Sequence, residues 1–132
     1  FNIRMARETE QLELDRDTVR RGVSRLIAAH ERGYYRVAEH DGVMRGSLMI
    51  TTEWSDWRDG NMWWIQSVYV LPEARRLGVF RALYNDILNA AKRDPDVRCV
   101  RLYVERENRA AQATYTGLGM HETPYRVFEV GA

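Results

Sequence analysis

Two stretches of the chain carry residue types whose spacing could do chemistry. The first runs Val70-Leu71-Pro72-Glu73-Ala74-Arg75-Arg76-Leu77-Gly78-Val79-Phe80-Arg81. An apolar run enters it, Pro72 stops that run, and a helical pattern follows within a few residues. The first turn of a helix leaves N–H groups unpaired with the positive end of the dipole behind them, which suits an anion and above all a phosphate. Gly78 allows backbone to approach a ligand closely, and Arg75, Arg76 and Arg81 add positive charge. An ordinary strand–turn–helix joint with solvated arginines would read the same way. The second stretch runs from Asn108 to Met120. Asn108 can cap a helix, and Ala111 and Tyr115, four apart, share one helix face. A small residue one turn before a phenol leaves room for a thin ligand that ends near the hydroxyl. Taken alone, Tyr115 also fits a core aromatic whose hydroxyl is satisfied.

The surrounding pattern predicts the elements that must hold these residues. Residues 1–10 are helix-compatible. Asp15 or Asp17 can cap a second helix, with Val19, Val23, Leu26 and Ile27 on one face and Gly33 at its end. The period then changes: Tyr34 to Glu39 reads as a strand, Asp41-Gly42 as a hairpin turn and Val43 to Trp54 as the partner strand. A second turn at Arg58-Asp59-Gly60 leads into Met62 to Val70, the most apolar strand. Arg76 to Lys92 reads as a helix, Cys99 to Val104 as a short strand, Arg109 to Leu118 as a helix closed by Gly117 and Gly119, and Tyr125 to Val130 as a last strand. An antiparallel meander followed by a βαβ crossover implies a mixed sheet with helices on both sides.

Composition narrows the function classes. The 132 residues give room for one domain. Twenty basic side chains, nineteen of them Arg and one Lys92, stand against nineteen acidic ones, a net charge of +1. That balance lacks the basic excess from which nucleic-acid binders draw affinity. The apolar runs fall far short of the ~20 residues of a membrane span, and no signal peptide is visible. The single Cys99 cannot form an internal disulfide, so a cytoplasmic setting is expected and packing is its ordinary role. His30, His40 and His121 are scattered without metal-ligand spacing. The start at Phe1 suggests trimming, a fragment or an incomplete gene.

Together the two stretches resemble the GNAT superfamily of acyl-CoA-dependent N-acyltransferases. The family's pyrophosphate motif, Arg or Gln-x-x-Gly-x-Gly or Ala after a Val-x-Pro strand exit, stands here as Val70-Leu71-Pro72 and Arg75-Arg76-Leu77-Gly78-Val79-Phe80. Its second signature is met at Asn108, Ala111, Tyr115, Gly119 and Met120, and the element order matches over nearly the whole chain. The resemblance implies an α+β (mixed α/β) fold in a single domain over residues 1–132, with a mixed, mostly antiparallel sheet flanked by helices. It implies acetyl-CoA as acyl donor, no metal, and transfer to a primary amine of a small molecule or peptide in a ternary complex. The backbone of Val68, Tyr69 and Val70 would pair with the pantetheine arm as an added strand. The N–H groups of Arg76, Leu77, Gly78, Val79, Phe80 and Arg81, with Arg75 beside them, would hold the pyrophosphate. Asn108 would contact the pantetheine or an ordered water, Ala111 would border the donor, the Val68 N–H would polarise the thioester carbonyl, and Tyr115 would protonate the departing thiolate.

Two departures from the family pattern stand out. Phe80 occupies a position the family gives to Gly or Ala, so a tighter or displaced turn is expected. The chain also starts inside the family's first helix, which leaves Tyr34–Glu39 as an open sheet edge that a second subunit of a homodimer could cover. These departures motivate an alternative function, a catalytically inactive acyl-CoA-binding or interaction module.

An alkyl amine of pKa about 10.4 is neutral in only about one molecule in 2,500 at pH 7, so a base is needed. The strand from Met62 to Val70 offers Gln66 and Ser67 but no acid. Glu53 is therefore the candidate, directly or through water, with Asp56 and Glu10 as alternatives. All four Trp fall between Trp54 and Trp64. They suggest an aromatic and acidic wall at an acceptor mouth, to which Glu8, Glu10 and Glu13 would add charge, although alternation of Trp63 and Trp64 between core and interface fits the same residues.

Overall fold

The computed structural model describes residues 1–131. Two helices come first, α1 (Asn2–Glu10) and α2 (Arg16–Ala28). Asp15 is the cap of α2, its carboxylate accepting from the Thr18 N–H at 2.8 Å. A short 3-10 turn, His30–Arg32, ends at Gly33. Gly33 sits at φ 134° with the Ile50 carbonyl oxygen 2.0 Å from where a Cβ would stand, so only glycine fits. The helix itself has already stopped at Ala28, five residues earlier than the glycine suggests.

Strands β1 (Tyr34–His40), β2 (Val43–Ser55) and β3 (Gly60–Val70) form the antiparallel meander. Helix α3 (Val79–Arg93) crosses over to β4 (Val97–Leu102), which pairs parallel with β3, and α4 (Arg109–Gly117) follows. The sheet order is β1-β2-β3-β4, the mixed sheet that the element order predicts. Among the described residues β1 stands at one end of that order.

One face of the sheet packs on α3. Leu48 and Ile50 of β2, Ile65 of β3 and Leu83, Tyr84 and Ile87 of α3 form a buried cluster. Burying four such aliphatic side chains completely, at roughly 1.5–3 kcal/mol each, makes this contact the main stabilising one. The opposite face meets α1, where the ring of Phe1 lies 5.0 Å from that of buried Tyr69.

Three expectations are corrected. Helix α3 begins at Val79 rather than Arg76, because Arg76 (φ 64°) and Gly78 (φ 81°) take left-handed backbone and break the helical run. Strand β4 spans Val97–Leu102, earlier than Cys99 to Val104. The last strand is not formed: residues 121–131 are irregular and exposed. The alternating Tyr125-Arg126-Val127-Phe128-Glu129-Val130 has strand propensity, but propensity without a paired neighbour gives no ladder hydrogen bonds or cross-strand contacts.

Candidate active site

The parallel ladder between β3 and β4 ends at Ile65↔Leu102, while β3 continues to Val70. Against β2, the register of β3 slips between Met49↔Gln66 and Ser47↔Tyr69. Ser67, at φ 50°, is the residue that absorbs the slip. Such a β-bulge bends the strand and increases its twist. Gln66 to Val70 therefore leaves the β4 ladder, and the β4 side of that segment is an unpaired strand edge. A left-handed serine costs of order 1 kcal/mol, and strain of this kind tends to sit at functional positions.

The turn after Val70 is held from below. The guanidinium of Arg75 donates through Nε to the Val70 carbonyl at 3.0 Å and through Nη2 to the Glu8 carboxylate of α1. The Tyr69 hydroxyl donates to the other Glu8 oxygen at 2.8 Å. Arg75 and then Tyr69 hold the Glu8 carboxyl below the usual range, and burial, with Glu8 beside it, pushes the Tyr69 hydroxyl up. The Arg75 side chain is thus engaged with α1, whereas Arg76, Leu77 and Arg81 are exposed.

Gly78 caps α3 through its backbone only, with no side-chain cap. The first helical bond is Ala82 N–H to the Gly78 carbonyl at 2.9 Å. The N–H groups of Val79, Phe80 and Arg81 precede it and lack intrahelical acceptors. Phe80, the departure from the family pattern, turns inward: its ring lies 6.1 Å from that of Tyr84 and 5.6 Å, edge-on, from that of Tyr115. This contact brings the two chemically suggestive stretches together.

Tyr115 stands on α4, and burial raises the pKa of its hydroxyl above the ordinary tyrosine range. Asn108 caps this helix, its Oδ1 accepting from the Ala111 N–H at 3.1 Å. Gly119, at φ 88°, ends it: Met120 N–H reaches the Tyr115 carbonyl and Gly119 N–H the Thr116 carbonyl, both at 3.0 Å. This is a Schellman cap, in which glycine at the left-handed position and an apolar residue after it are what the geometry asks for. Met120 accordingly packs against the core.

Glu53 lies at the other end. It pairs with Met62, about 17 Å along the strand from Ser67 at ~3.3 Å per residue. Its carboxylate accepts from the Trp64 indole N–H at 2.5 Å. On the same face, between Glu53 and the bulge, Gln66 donates to Thr51 at 2.5 Å. Asp56 binds the Trp57 N–H at 2.9 Å, at the hairpin tip. That tip is anchored to the start of β4 by Arg98, which donates to the Arg58, Asp59 and Pro95 carbonyls.

The tryptophans do not form one wall. Trp63 packs on the core and edge-on to Tyr34 at 6.1 Å. Trp64 is stacked on Tyr103 at 4.4 Å and has Arg101 over its ring at 5.7 Å. Trp54 and Trp57 are exposed. Of the acidic rim, Glu8 is paired with Arg75 and Glu13 with Arg7 at 2.8 Å. Glu10 is exposed on its own helix.

A cavity of about 650 Å³ also borders Gly78 and Val79, but it opens toward Ala38, His40 and Arg45 on the β1–β2 side rather than toward β4. Among the described residues no helix is long and apolar enough to cross a membrane.

Sequence reasoning missed the Ser67 bulge, since Met62–Val70 reads as one continuous apolar strand. It also missed the Glu8–Tyr69–Arg75 clamp, where the only signal was a charged pair far apart in the chain.

Comparison with known proteins agrees with this geometry. The family model described as acetyltransferase (GNAT) family matches residues 3–120. A solved structure described as a possible acetyltransferase from Clostridium difficile 630 is 45% identical, superposes with a TM-score of 0.94, and covers 100% of this chain and 87% of its own. AAC(6')-Iy, solved with the bisubstrate analogue CoA-S-monomethyl-acetylneamine, shares the fold at 18% identity and a TM-score of 0.77, over 99% of this chain and 92% of its own. Glucosamine-6-phosphate N-acetyltransferase from Arabidopsis thaliana shares it at 16% identity and a TM-score of 0.70, over 92% and 84%. No curated protein sequence is significantly similar to the chain. With the diverging strands, the uncapped helix and both signatures in place, the chain belongs to the GNAT family of acetyltransferases.

Proposed function

We propose that the chain is an N-acetyltransferase that moves an acetyl group from acetyl-CoA to a primary amine by direct attack. The observation that carries this reading is the divergence of β3 from β4 after Ile65, beside the uncapped start of α3. The two features supply an unpaired strand edge for an amide-bearing arm and free N–H groups for a pyrophosphate. The shared fold with a protein solved with a CoA-linked analogue supports the donor.

The division of labour follows. Val68, Tyr69 and Val70 offer backbone groups to the pantetheine amides. The turn from Arg76 to Arg81 receives the pyrophosphate, and Arg75 holds that turn in place through Val70 and Glu8. Asn108 and Ala111 border the arm on α4. The amine nitrogen attacks the thioester carbonyl carbon, whose oxygen the Val68 N–H polarises. The C–S bond breaks, and the thiolate takes the Tyr115 hydroxyl proton. A phenol kept neutral by burial is a proton donor across the physiological range. Glu53 accepts the amine proton through water, since about 17 Å along the strand from Ser67 excludes direct contact. The inward turn of Phe80 keeps its ring off the pyrophosphate turn and weakens the case for an inactive module.

The test is thermal and chemical together. Acetyl-CoA at about 100 times its Kd should stabilise the protein by roughly 2.7 kcal/mol, a rise in Tm on the order of 10 °C. Thiol release with a panel of polyamines, amino sugars and peptide N-termini should then identify the acceptor class. Binding without turnover on any amine would favour the inactive module, and no binding would overturn the donor site itself.

A further inference from the structure

The charges on the face of the sheet turned away from α3 bear on the acceptor. Val100 and Leu102 pack against the core cluster, so Arg101 and Tyr103 stand on the opposite face. Trp64 and Gln66, on either side of core Ile65, stand there too, and Trp64 is stacked on Tyr103. The ladder pairs Trp64 with Arg101 and ends one pair later at Ile65↔Leu102, which puts Arg101 at the lip of the β3–β4 cleft. Its guanidinium lies over the Trp64 ring, 5.7 Å from the centroid. Glu53 belongs to β2 and Arg101 to β4, with β3 between them, and Glu53 accepts from the Trp64 indole N–H. Trp64 thus separates the two charges. Arg101 is half-buried, and among the described residues it forms no ion pair. The position next along the cleft is neutral: Gln66 donates to Thr51, which leaves its carbonyl oxygen as an acceptor for an N–H.

We infer that the acceptor is a primary amine that also carries a carboxylate, and that Arg101 holds this carboxylate while the amine reaches the thioester. The inference rests on the acetyltransferase reading above and narrows its substrate class. A planar guanidinium without an acidic partner matches a carboxylate with two parallel hydrogen bonds. Its contact with the Trp64 ring restrains it beforehand, so less freedom is lost on binding. Val68, whose N–H polarises the thioester carbonyl, lies four residues past Trp64, about 13 Å along the strand. The gap between Arg101 and Val68 sets the spacing of amine and carboxylate in the acceptor, so α- and ω-amino acids are the two forms to compare. A polycation fits this lip poorly. Arg101 repels a second ammonium, and of the acids that the sequence suggests for the rim, Glu8 and Glu13 are taken by Arg75 and Arg7.

The test compares matched acceptors on the native protein, with acetyl-CoA as donor and thiol release as the signal. The pairs are phenylalanine against 2-phenylethylamine and 4-aminobutyrate against propylamine. In at least one pair the acid should have a kcat/KM roughly ten- to a hundredfold above that of its decarboxylated partner, as expected for a hydrogen bond to a charged group. Which pair shows it gives the spacing. Arg101→Gln should erase the preference by raising KM for the acid, with its kcat little changed. Arg101→Lys keeps the charge without the planar fork and should restore part of it. A residue that only packs on Trp64 would leave the ratio within each pair unmoved. Equal or better use of the decarboxylated amines by the native protein would overturn the inference and leave the acetyltransferase reading standing. So would an Arg101→Gln variant that keeps the preference, or donor binding with no thiol release from either acid. The rise in Tm with acetyl-CoA, measured on the same protein, reads the donor site separately: its absence would overturn the acetyltransferase reading and this inference with it.

Discussion

The two halves of the sheet are built from similar residues and packed differently. In the first, β2, β3 and α3 close on one another, and α3 buries Leu83, Tyr84, Ile87 and Ala91. In the second, β4 and α4 hold Val100, Leu102, Ala111 and Tyr115, yet every residue of both elements keeps some exposure. The apolar content of the second half is not explained by its own core. It is explained by what it faces, the cleft that opens where β3 leaves β4. Rigid packing positions the turn and the bulge, and incomplete packing leaves surface for ligands.

The sharpest way to break this contrast is to empty one side chain in each half. Ile87→Ala should lower stability by about 3–5 kcal/mol, because the residue is fully buried. Val100→Ala, at a half-buried position, should cost less than about 1.5 kcal/mol. Denaturant midpoints of equal size would remove the distinction.

Next in size is the chemistry of the uncovered half. Tyr115→Phe should lower kcat about a hundredfold, about 2.7 kcal/mol of transition-state stabilisation, with little change in Tm or in donor affinity. The hydroxyl works only while protonated, so native kcat should fall as pH rises through its elevated pKa, above the ordinary tyrosine range. That alkaline limb should vanish in the variant.

Glu53→Gln should lower kcat about tenfold at neutral pH, since an amide still accepts from Trp64 but takes no proton. An unchanged kcat would dismiss Glu53.

The smallest effect concerns the clamp on the packed side. The Glu8 carboxyl is held below its usual range, so its contribution is full above the ordinary carboxylate pKa and is lost as pH falls through the lowered one. Glu8→Gln should cost less than about 1 kcal/mol at neutral pH, because the pair with Arg75 is partly exposed. The gap between variant and native stability should close in acid.

The sequence makes much of this legible, and the failures share a cause. Capping and periodicity locate Asp15, Gly119 and the helices, because those signals are local. The GNAT signatures locate the turn and Tyr115, because both are contiguous stretches. The Ser67 slip, the Arg75–Glu8 pair and the dispersal of the tryptophans depend on which residue lies across the sheet, and no local spacing reports that. The absent strand at Tyr125–Val130 fails for the same reason: its pattern is right, but a strand forms only across a partner, which local pattern does not report.

The slip at Ser67 also bears on how such a chain can change length. Ile65 and Tyr69 are both odd-numbered, yet Ile65 joins the α3 core while Tyr69 meets Glu8 of α1. The inserted residue reverses the alternation halfway along β3, so the strand is two half-strands in opposite phase. Losing one residue there would not merely shorten a strand. It would turn Tyr69 into the core and Val70 out to α1, and with them the turn that follows. Insertions at the hairpin tip between Ser55 and Gly60 shift no such phase. The hairpin-tip end of β3 can therefore change length at the cost of the Arg98 contacts alone, whereas the bulged end cannot without exchanging the faces of the strand.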